Sequence, residues 1–511
     1  MDQKYDVAVI GAGLGGLSAA TYLARKGLRV ILFEKHNIPG GYATSFVRGR
    51  YEFEVALHEL SGIGLPDQPG ALLRYLQYLG VADKVEFVHI PHFYRSVFPD
   101  VDLRLPVGRE NYTQVLCEAF PREAAGIRRF VGRLFDLDRE MRYFYKLSSG
   151  KRPPVGELLK APLNVRNMLR YALATWEQVL GRDVGDHRAR AVLSQIWGYF
   201  GLPPSQISYL YFATAMASYI GSGATHIKGR SQSLSNAFVQ TFEKLGGEMR
   251  FNCAVEKIST HQGRVTGVVT EQGDSIEAAN VVSNADPITT CREMIGADKV
   301  PQKFWRRLGA SQVGASSFNV YLGVAAPPQQ LGLTDHEVFI NTDYDIDRHY
   351  QRMKNLVAPG GVAMTCYNSV LPDISPAGTS MLVLTALMYG QPWLHVAPQE
   401  YVDVKNRIAD SIINLAEKVY PGLRQAAEVV EVATPITNMR YAGQFGGSIY
   451  GSDQPPGDTT VFRLPHWGPL GGLYFAGAWT LPGGGYEPAM VSGRLAGDML
   501  LAKTRLQRKG A

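Results

Sequence analysis

Asp6-Val7-Ala8-Val9-Ile10-Gly11-Ala12-Gly13-Leu14-Gly15-Gly16, continuing through Leu17 to Arg25 and then Leu28-Arg29-Val30-Ile31-Leu32-Phe33-Glu34, decides the fold. It reads as a buried strand, a glycine-rich turn, a helix and a second buried strand. Gly11 permits the tight turn, Gly13 lets a pyrophosphate approach the backbone, and Gly16 lets the helix lie close on the strand. Leu14 and Gly15 open that helix, whose free N–H groups and positive dipole end face the phosphates. Glu34 stands 18 residues past Gly16. There a carboxylate accepts hydrogen bonds from both ribose hydroxyls and repels a 2'-phosphate. The expected ligand is an adenine dinucleotide without that phosphate, FAD or NAD, with Lys35 at the same strand end. Glycine triplets alone are weak signals in a chain with 54 glycines among 511 residues. The strand before, the helix after and the acid beyond make this one specific.

Five hundred and eleven residues suffice for two or three domains, and 45% hydrophobic with 19% charged is a globular balance. Cys117, Cys253, Cys291 and Cys366 are widely spaced and form no metal-ligand pattern, so they read as buried thiols in a reducing compartment. The first residues carry no basic leader before an apolar run of signal length. A cytoplasmic protein is expected on these grounds. The net charge is +6, but Pro121 to Arg170 alone holds 12 Lys/Arg against 5 Asp/Glu, an excess of 7 interleaved with aromatics. That stretch suits a solvated helical face or an anionic membrane surface, with peripheral association. Nucleic acid is not among the expected partners.

Downstream, Pro39-Gly40-Gly41-Tyr42-Ala43-Thr44-Ser45 is a turn whose glycines can approach the dinucleotide, with Thr44 and Ser45 as donors to its oxygens. Residues 49–62 alternate apolar and polar side chains, which predicts a short inward-reaching hairpin. The period turns helical from Glu110 to Arg182, and Lys151-Arg152-Pro153-Pro154 interrupts it. Ser205 to Ile220 is apolar all round but short of the roughly 20 residues a membrane span takes. It predicts a buried helix that either packs as core or faces a cavity, with Trp197, Tyr199, Tyr211 and Phe212 as candidate substrate-lining residues. Residues 275–279 read as a hairpin arm, and 279–286 as a separate strand.

Arg50-Tyr51-Glu52-Phe53-Glu54-Val55-Ala56, following the two glycine turns, resembles the "G-[YF]-x-F-[DE]-x-G" strand of the FAD-dependent phytoene desaturase, carotenoid isomerase and retinol saturase family. That family is related to the flavin amine oxidases. Arg50 and Ala56 replace its two glycines, and His58 is similar to the saturase-like "G-I-H" version. Lys228-Gly229-Arg230 resembles the "GG-x-x-x-L" return to the FAD domain with Arg230 for the second glycine, and residues 279–286 resemble "A-D-x-V-V-S-N-A". The resemblance implies that the Val255 backbone contacts the adenine and that Gly477, Ala478, Glu487, Pro488 and Ala489 carry the flavin ring.

The implied fold is α/β: a Rossmann-type FAD-binding domain, discontinuous in sequence, with an inserted α+β substrate domain containing a helical cap. Residues 1–109, 226–300 and 446–511 are expected to form the FAD-binding domain. Residues 110–225 form the helical cap region, and 301–445 the substrate domain's sheet and helices. The C-terminal helix is expected from about Glu487 to Leu501.

With FAD carrying the redox step, the protein's part is to place a substrate carbon beside it. A separate nicotinamide motif is not found, so electrons enter or leave through the same site or by way of a quinone, oxygen or another protein. His58, Glu59, Tyr486 and Glu487 are the polar groups expected to border the flavin, as proton carriers or as braces for its loops. The activity implied is desaturation, saturation or isomerisation of carbon-carbon bonds in a lipophilic polyene or isoprenoid-like molecule. A flavin amine oxidase and a non-enzymatic prenyl-binding protein of the Rab escort and GDP-dissociation-inhibitor type are the competing classes.

Overall fold

Two seven-stranded sheets organise the computed structural model, which describes residues 5–148 and 163–509. The first runs in the order Glu248–Arg250, Val30–Phe33, Tyr5–Ile10, Ser275–Ser283, Arg264–Thr270, Val255–His261, with Leu473–Phe475 also pairing on Ser275–Ser283. The strands from Glu248–Arg250 to Ser275–Ser283, together with Leu473–Phe475, are parallel, while Arg264–Thr270 and Val255–His261 form an antiparallel meander. Val30–Phe33 is buried at every position, as a parallel strand covered on both faces must be.

On one face lie the helices Leu14–Arg25 and Tyr486–Lys509, so close that a Cβ on Gly493 would sit 2.3 Å from the Gly15 carbonyl. Ser18 Oγ donates to the Met490 carbonyl at 2.6 Å and locks the crossing. The C-terminal helix therefore runs beyond the expected Leu501.

The second sheet is ordered Ala427–Ala433, Ser316–Val324, Ser380–Met388, Gly361–Cys366, Glu337–Asn341, His92–Phe98, Val101–Pro106. Helix Tyr401–Val419 buries Ile408, Ile412 and Ala416 in the core beneath it. The helices Arg109–Ala119, Ala124–Ser148, Trp176–Leu180, His187–Leu193 and Tyr209–Ser222 pack as a cap around Trp176, whose indole N–H donates to Ser194 Oγ at 2.8 Å.

Four further boundaries differ from expectation. The His92–Phe98 and Val101–Pro106 hairpin, assigned to the first FAD-binding segment 1–109, pairs instead in the second sheet, because Phe93, Tyr94, Phe98 and Leu105 belong to the cap's core. The early hairpin is Ser45–Arg48 with Tyr51–Glu54, turning at Gly49 (φ +57°), and 55–62 is left as loop. Residues 275–283 are one strand, not two: the first part alternates against the meander and the last three residues are continuously buried beside Tyr5–Ile10. The buried helix begins at Tyr209 and ends at Ser222 rather than covering 205–220. The Lys151–Pro154 break lies outside the described residues.

Arg230 adopts φ +67° directly after Gly229 at +79°, a conformation costing a side chain roughly 1–2 kcal/mol. Its guanidinium offsets that strain by donating from Nε to the Glu52 carbonyl at 2.8 Å and from Nη2 to the Ile374 carbonyl, so the expected turn survives without its second glycine.

Candidate active site

Three glycine turns from distant parts of the chain meet at the end of the parallel strands. Gly11 turns at φ +89°. Gly13 pairs with Gly40, and the Gly40 N–H donates to the Ala12 carbonyl at 2.8 Å. A Cβ on Gly16 would lie 2.0 Å from the Gly11 carbonyl. Gly16 thus serves helix packing and does not line the cleft, whereas Gly11, Gly13, Leu14, Gly15, Gly40 and Gly41 do.

Helix Leu14–Arg25 has no side-chain cap and no acid in its first turn. Its unsatisfied N–H groups open on the cleft, which suits a phosphate. Glu34 is buried, accepting from the Ala12 N–H at 2.7 Å and the His36 N–H at 3.0 Å, and carboxylate lone pairs remain for ribose hydroxyls. Lys35 and Val255 complete this end of the cleft. Thr44 and Ser45 do not line it: their hydroxyls bond Gln232 Oε1 and Glu52 Oε1, both at 2.5 Å.

Farther along, Gly477, Ala478, Pro488 and Ala489 line the cleft where Tyr42, Ala43 and Val55 to Leu57 face them. Tyr486 lines it too, but its hydroxyl donates to the Tyr42 carbonyl at 2.9 Å and meets Ser231 Oγ at 3.0 Å, tying three segments together. The Glu487 carboxyl accepts from Ser61, and burial raises its pKa. A Cβ on Gly62 would stand 2.3 Å from it. Beneath the turn lies Arg463, buried, donating to the carbonyls of Ala478 at 2.5 Å and Thr480 at 3.1 Å. Nothing in its sequence surroundings marks this arginine, since its partners are main-chain atoms of a remote loop.

The same cleft opens without a wall into a chamber lined by Trp197, Tyr199, Tyr211, Tyr219, Phe339 and Leu387, giving a cavity of about 2280 Å³. A single small-ligand site usually takes roughly 300–1,000 Å³, so two ligands can lie end to end. Phe212 faces away, fully buried against Trp176 at 4.4 Å and Phe200 at 5.0 Å between ring centroids. The chamber face of this helix carries Leu210, Tyr211, Thr214, Ala215, Ser218 and Tyr219 at helical spacing, and Phe212 falls just outside that stripe.

His58 and Glu59 both reach the cavity wall. Burial, and then the neighbouring charge of Glu337, hold the Glu59 carboxyl well above the usual range, with the Tyr199 hydroxyl pulling it partly back. Behind His58 stand Glu337 and Thr365, with Thr385 beside its ring on the cavity wall, on three separate strands. No local motif announces them.

The four cysteines are buried and free. Among the described residues no helix is long and apolar enough to cross a membrane. In the basic stretch Arg133 and Arg129 pair with Asp183, and Arg142 pairs with Asp138, while Leu163, Leu169 and Leu173 are 78%, 62% and 71% exposed beside Arg166 and Arg170. Helix Ala124–Ser148 carries Met141, Arg142 and Phe144 to one mouth of the cavity.

Residues 14–501 match the sequence profile of the family described as flavin containing amine oxidoreductase. The chain is 24% identical to a chloroplastic prolycopene isomerase of Daucus carota, covering 99% of this chain and 82% of that one. It is also 24% identical to an all-trans-retinol 13,14-reductase of Danio rerio, covering 88% and 78%. A putrescine oxidase redesigned in its cofactor binding superposes with a TM-score of 0.65 at 17% identity, over 98% of this chain and 99% of that one.

Proposed function

The chain belongs to the flavin containing amine oxidoreductase family, and from that premise we propose that it is an FAD-dependent oxidoreductase acting on carbon-carbon single or double bonds of a lipophilic polyene or isoprenoid-like substrate. The observation that carries this reading is the continuity of the cavity. The glycine cleft that fits a dinucleotide runs directly into a chamber walled by aromatic and aliphatic side chains. The names of the carrot and zebrafish relatives, a prolycopene isomerase and a retinol reductase, support the same substrate class.

FAD fits the residues present. The glycine cradle has no room for side chains at Gly13 and Gly15, the uncapped helix N-terminus at Gly13 to Gly15 would hold the pyrophosphate, and Glu34 would hold the ribose. Gly477, Ala478, Glu487, Pro488 and Ala489 hold the ring end, with Val255 at the adenine end. Bound there, FAD would supply two-electron exchange with a substrate carbon. The chain's own part is to exclude water through Trp197, Tyr199 and Tyr211, to stretch an elongated apolar molecule along the chamber, and to hold proton carriers at His58 and Glu59.

A lipophilic substrate reaches such a site from a membrane, and we infer a cytoplasmic protein that docks on an anionic bilayer. Leu163, Leu169 and Leu173 would enter the interface, and Arg166 and Arg170 would meet headgroups, next to the mouth at Met141 and Phe144.

The test is to purify the yellow protein and mix it anaerobically with retinoids and carotenoids. Bleaching of oxidised flavin indicates desaturation, and reoxidation of reduced flavin by a polyene indicates saturation. A change of double-bond geometry without net electron flow indicates isomerisation. Hydrogen peroxide release with amines would assign an amine oxidase instead, and a colourless protein a non-enzymatic prenyl binder.

A further inference from the structure

His58 is held from behind by a hydrogen-bonded pair that does not itself reach the chamber. Thr365 Oγ1 lies 2.6 Å from Glu337 Oε2 and 2.5 Å from His58 Nδ1, and the Glu337 carboxylate stands 3.4 Å from the same ring nitrogen. The Glu337 side chain is fully buried, and neither Glu337 nor Thr365 is on the cavity wall. A carboxylate only accepts, so the Thr365 hydroxyl donates to Glu337 and its lone pair accepts from Nδ1–H. The other ring nitrogen, Nε2, faces Thr385 Oγ1 at 3.4 Å, and Thr385 does line the cavity. The backbone is pinned as well, because the His58 carbonyl pairs with His336 Nε2 at 2.8 Å.

We propose that Glu337 and Thr365 are positioning residues that fix His58 with Nδ1 protonated and Nε2 open to the chamber, so that Nε2 exchanges a proton with a substrate carbon there. The inference rests on the carbon-carbon reading above. When the protonated ring gives up its proton, the Nε2–H bond breaks, a π pair of the polyene forms the C–H bond, and the positive charge passes from His58 to the conjugated substrate as a delocalised cation. In the reverse direction the C–H bond breaks, its electron pair stays with the substrate as a double bond, and Nε2 takes the proton. An isomerisation uses both halves at one carbon with no net electrons.

The geometry explains what a buried carboxylate is doing behind an apolar chamber. A buried carboxyl without a hydrogen-bond partner is costly, and the Thr365 hydroxyl with the His58 ring beyond it supplies that partner. The titratable groups around His58 are Glu337 on the strand Glu337–Asn341, His336 just before that strand, Tyr199 with its ring centroid 5.9 Å away, and the neighbouring Glu59. Burial first, and then the Glu337 charge, push the Glu59 carboxyl well above the usual carboxylate range.

The test is ¹⁵N NMR of imidazole-labelled, FAD-loaded protein, with the His58 signal assigned by its loss in His58→Gln. In the wild type the neutral ring should carry its proton on Nδ1. Glu337→Gln and Thr365→Val should each redistribute the proton between the two ring nitrogens, because each breaks the hydrogen-bonded chain behind Nδ1. An unchanged tautomer in both variants overturns the proposal. Should Glu337→Gln not fold, Thr365→Val decides alone. If no polyene reacts with the wild type, the substrate reading fails, while the NMR spectrum still tells whether Glu337 and Thr365 orient His58.

Discussion

A Cβ built on Gly15 would stand 2.8 Å from the Cα of Gly477. The first helix and the exit of the last strand therefore touch backbone to backbone across almost the whole chain, and the seam between them is the cradle we propose for the cofactor. Gly16→Ala, whose methyl would lie 2.0 Å from the Gly11 carbonyl, should push the helix off the strand. The expected outcome is a protein purified with little flavin and FAD binding weakened about five- to 150-fold by titration, since overpacking of this kind costs roughly 1–3 kcal/mol. Full flavin content in Gly16→Ala would contradict the assigned packing.

Gly40 and Thr44 should behave oppositely although both lie in one turn. Gly40 has φ +120°, and a methyl there would approach the Ala43 carbonyl to 2.1 Å. Gly40→Ala is expected to abolish flavin retention. Thr44→Val removes only the hydroxyl that serves Gln232, and Ser45→Ala only the one that serves Glu52. Both should keep wild-type flavin absorbance per chain.

Neighbouring aromatic residues on the buried helix also separate. Phe212→Ala empties a site packed between Trp176 and Phe200 and should cost about 3–5 kcal/mol in denaturant unfolding. Tyr211→Leu enlarges the chamber instead. It should change KM or the preferred chain length of the substrate, with a much smaller loss of stability. Equal destabilisation by the two would contradict the placement of Tyr211 on the cavity.

Asp453 gives a stability test with a definite sign. Burial raises its pKa from 3.8 to about 7, against the Tyr389 hydrogen bond and the charges of Arg463 and Lys354. The folded state thus holds a proton that the unfolded chain has released. This group's contribution is fully present below about pH 4 and is lost as pH rises toward 7. Asp453→Asn is neutral throughout, so its melting temperature should gain on the wild type between about pH 4 and 7 and then run parallel. A constant difference across that range would show that Asp453 does not titrate as its burial requires.

The sequence alone determined the dinucleotide end of this protein. Gly11, Gly13, Gly16 and Glu34 act within one continuous strand-turn-helix-strand, where contacts are fixed by local spacing, and the structure forms those elements as read. Periodicity marked individual strands and helices, while their grouping into an FAD-binding domain with an inserted substrate domain and helical cap came from the family resemblance; the hairpin 92–106 went to the other sheet because its aromatic residues join the cap's core. Tertiary structure alone decided the rest. Glu337, Thr365 and Thr385 come together behind His58 only because three strands of the second sheet lie side by side, and Arg463 bonds to carbonyls of a turn that carries no complementary side chain. Phe212 and Tyr211 are indistinguishable as letters and are parted by the rotation of one helix. Local spacing constrains what neighbours along the chain can do. Which distant side chains share a wall is set by the packing of whole sheets, which no short stretch encodes.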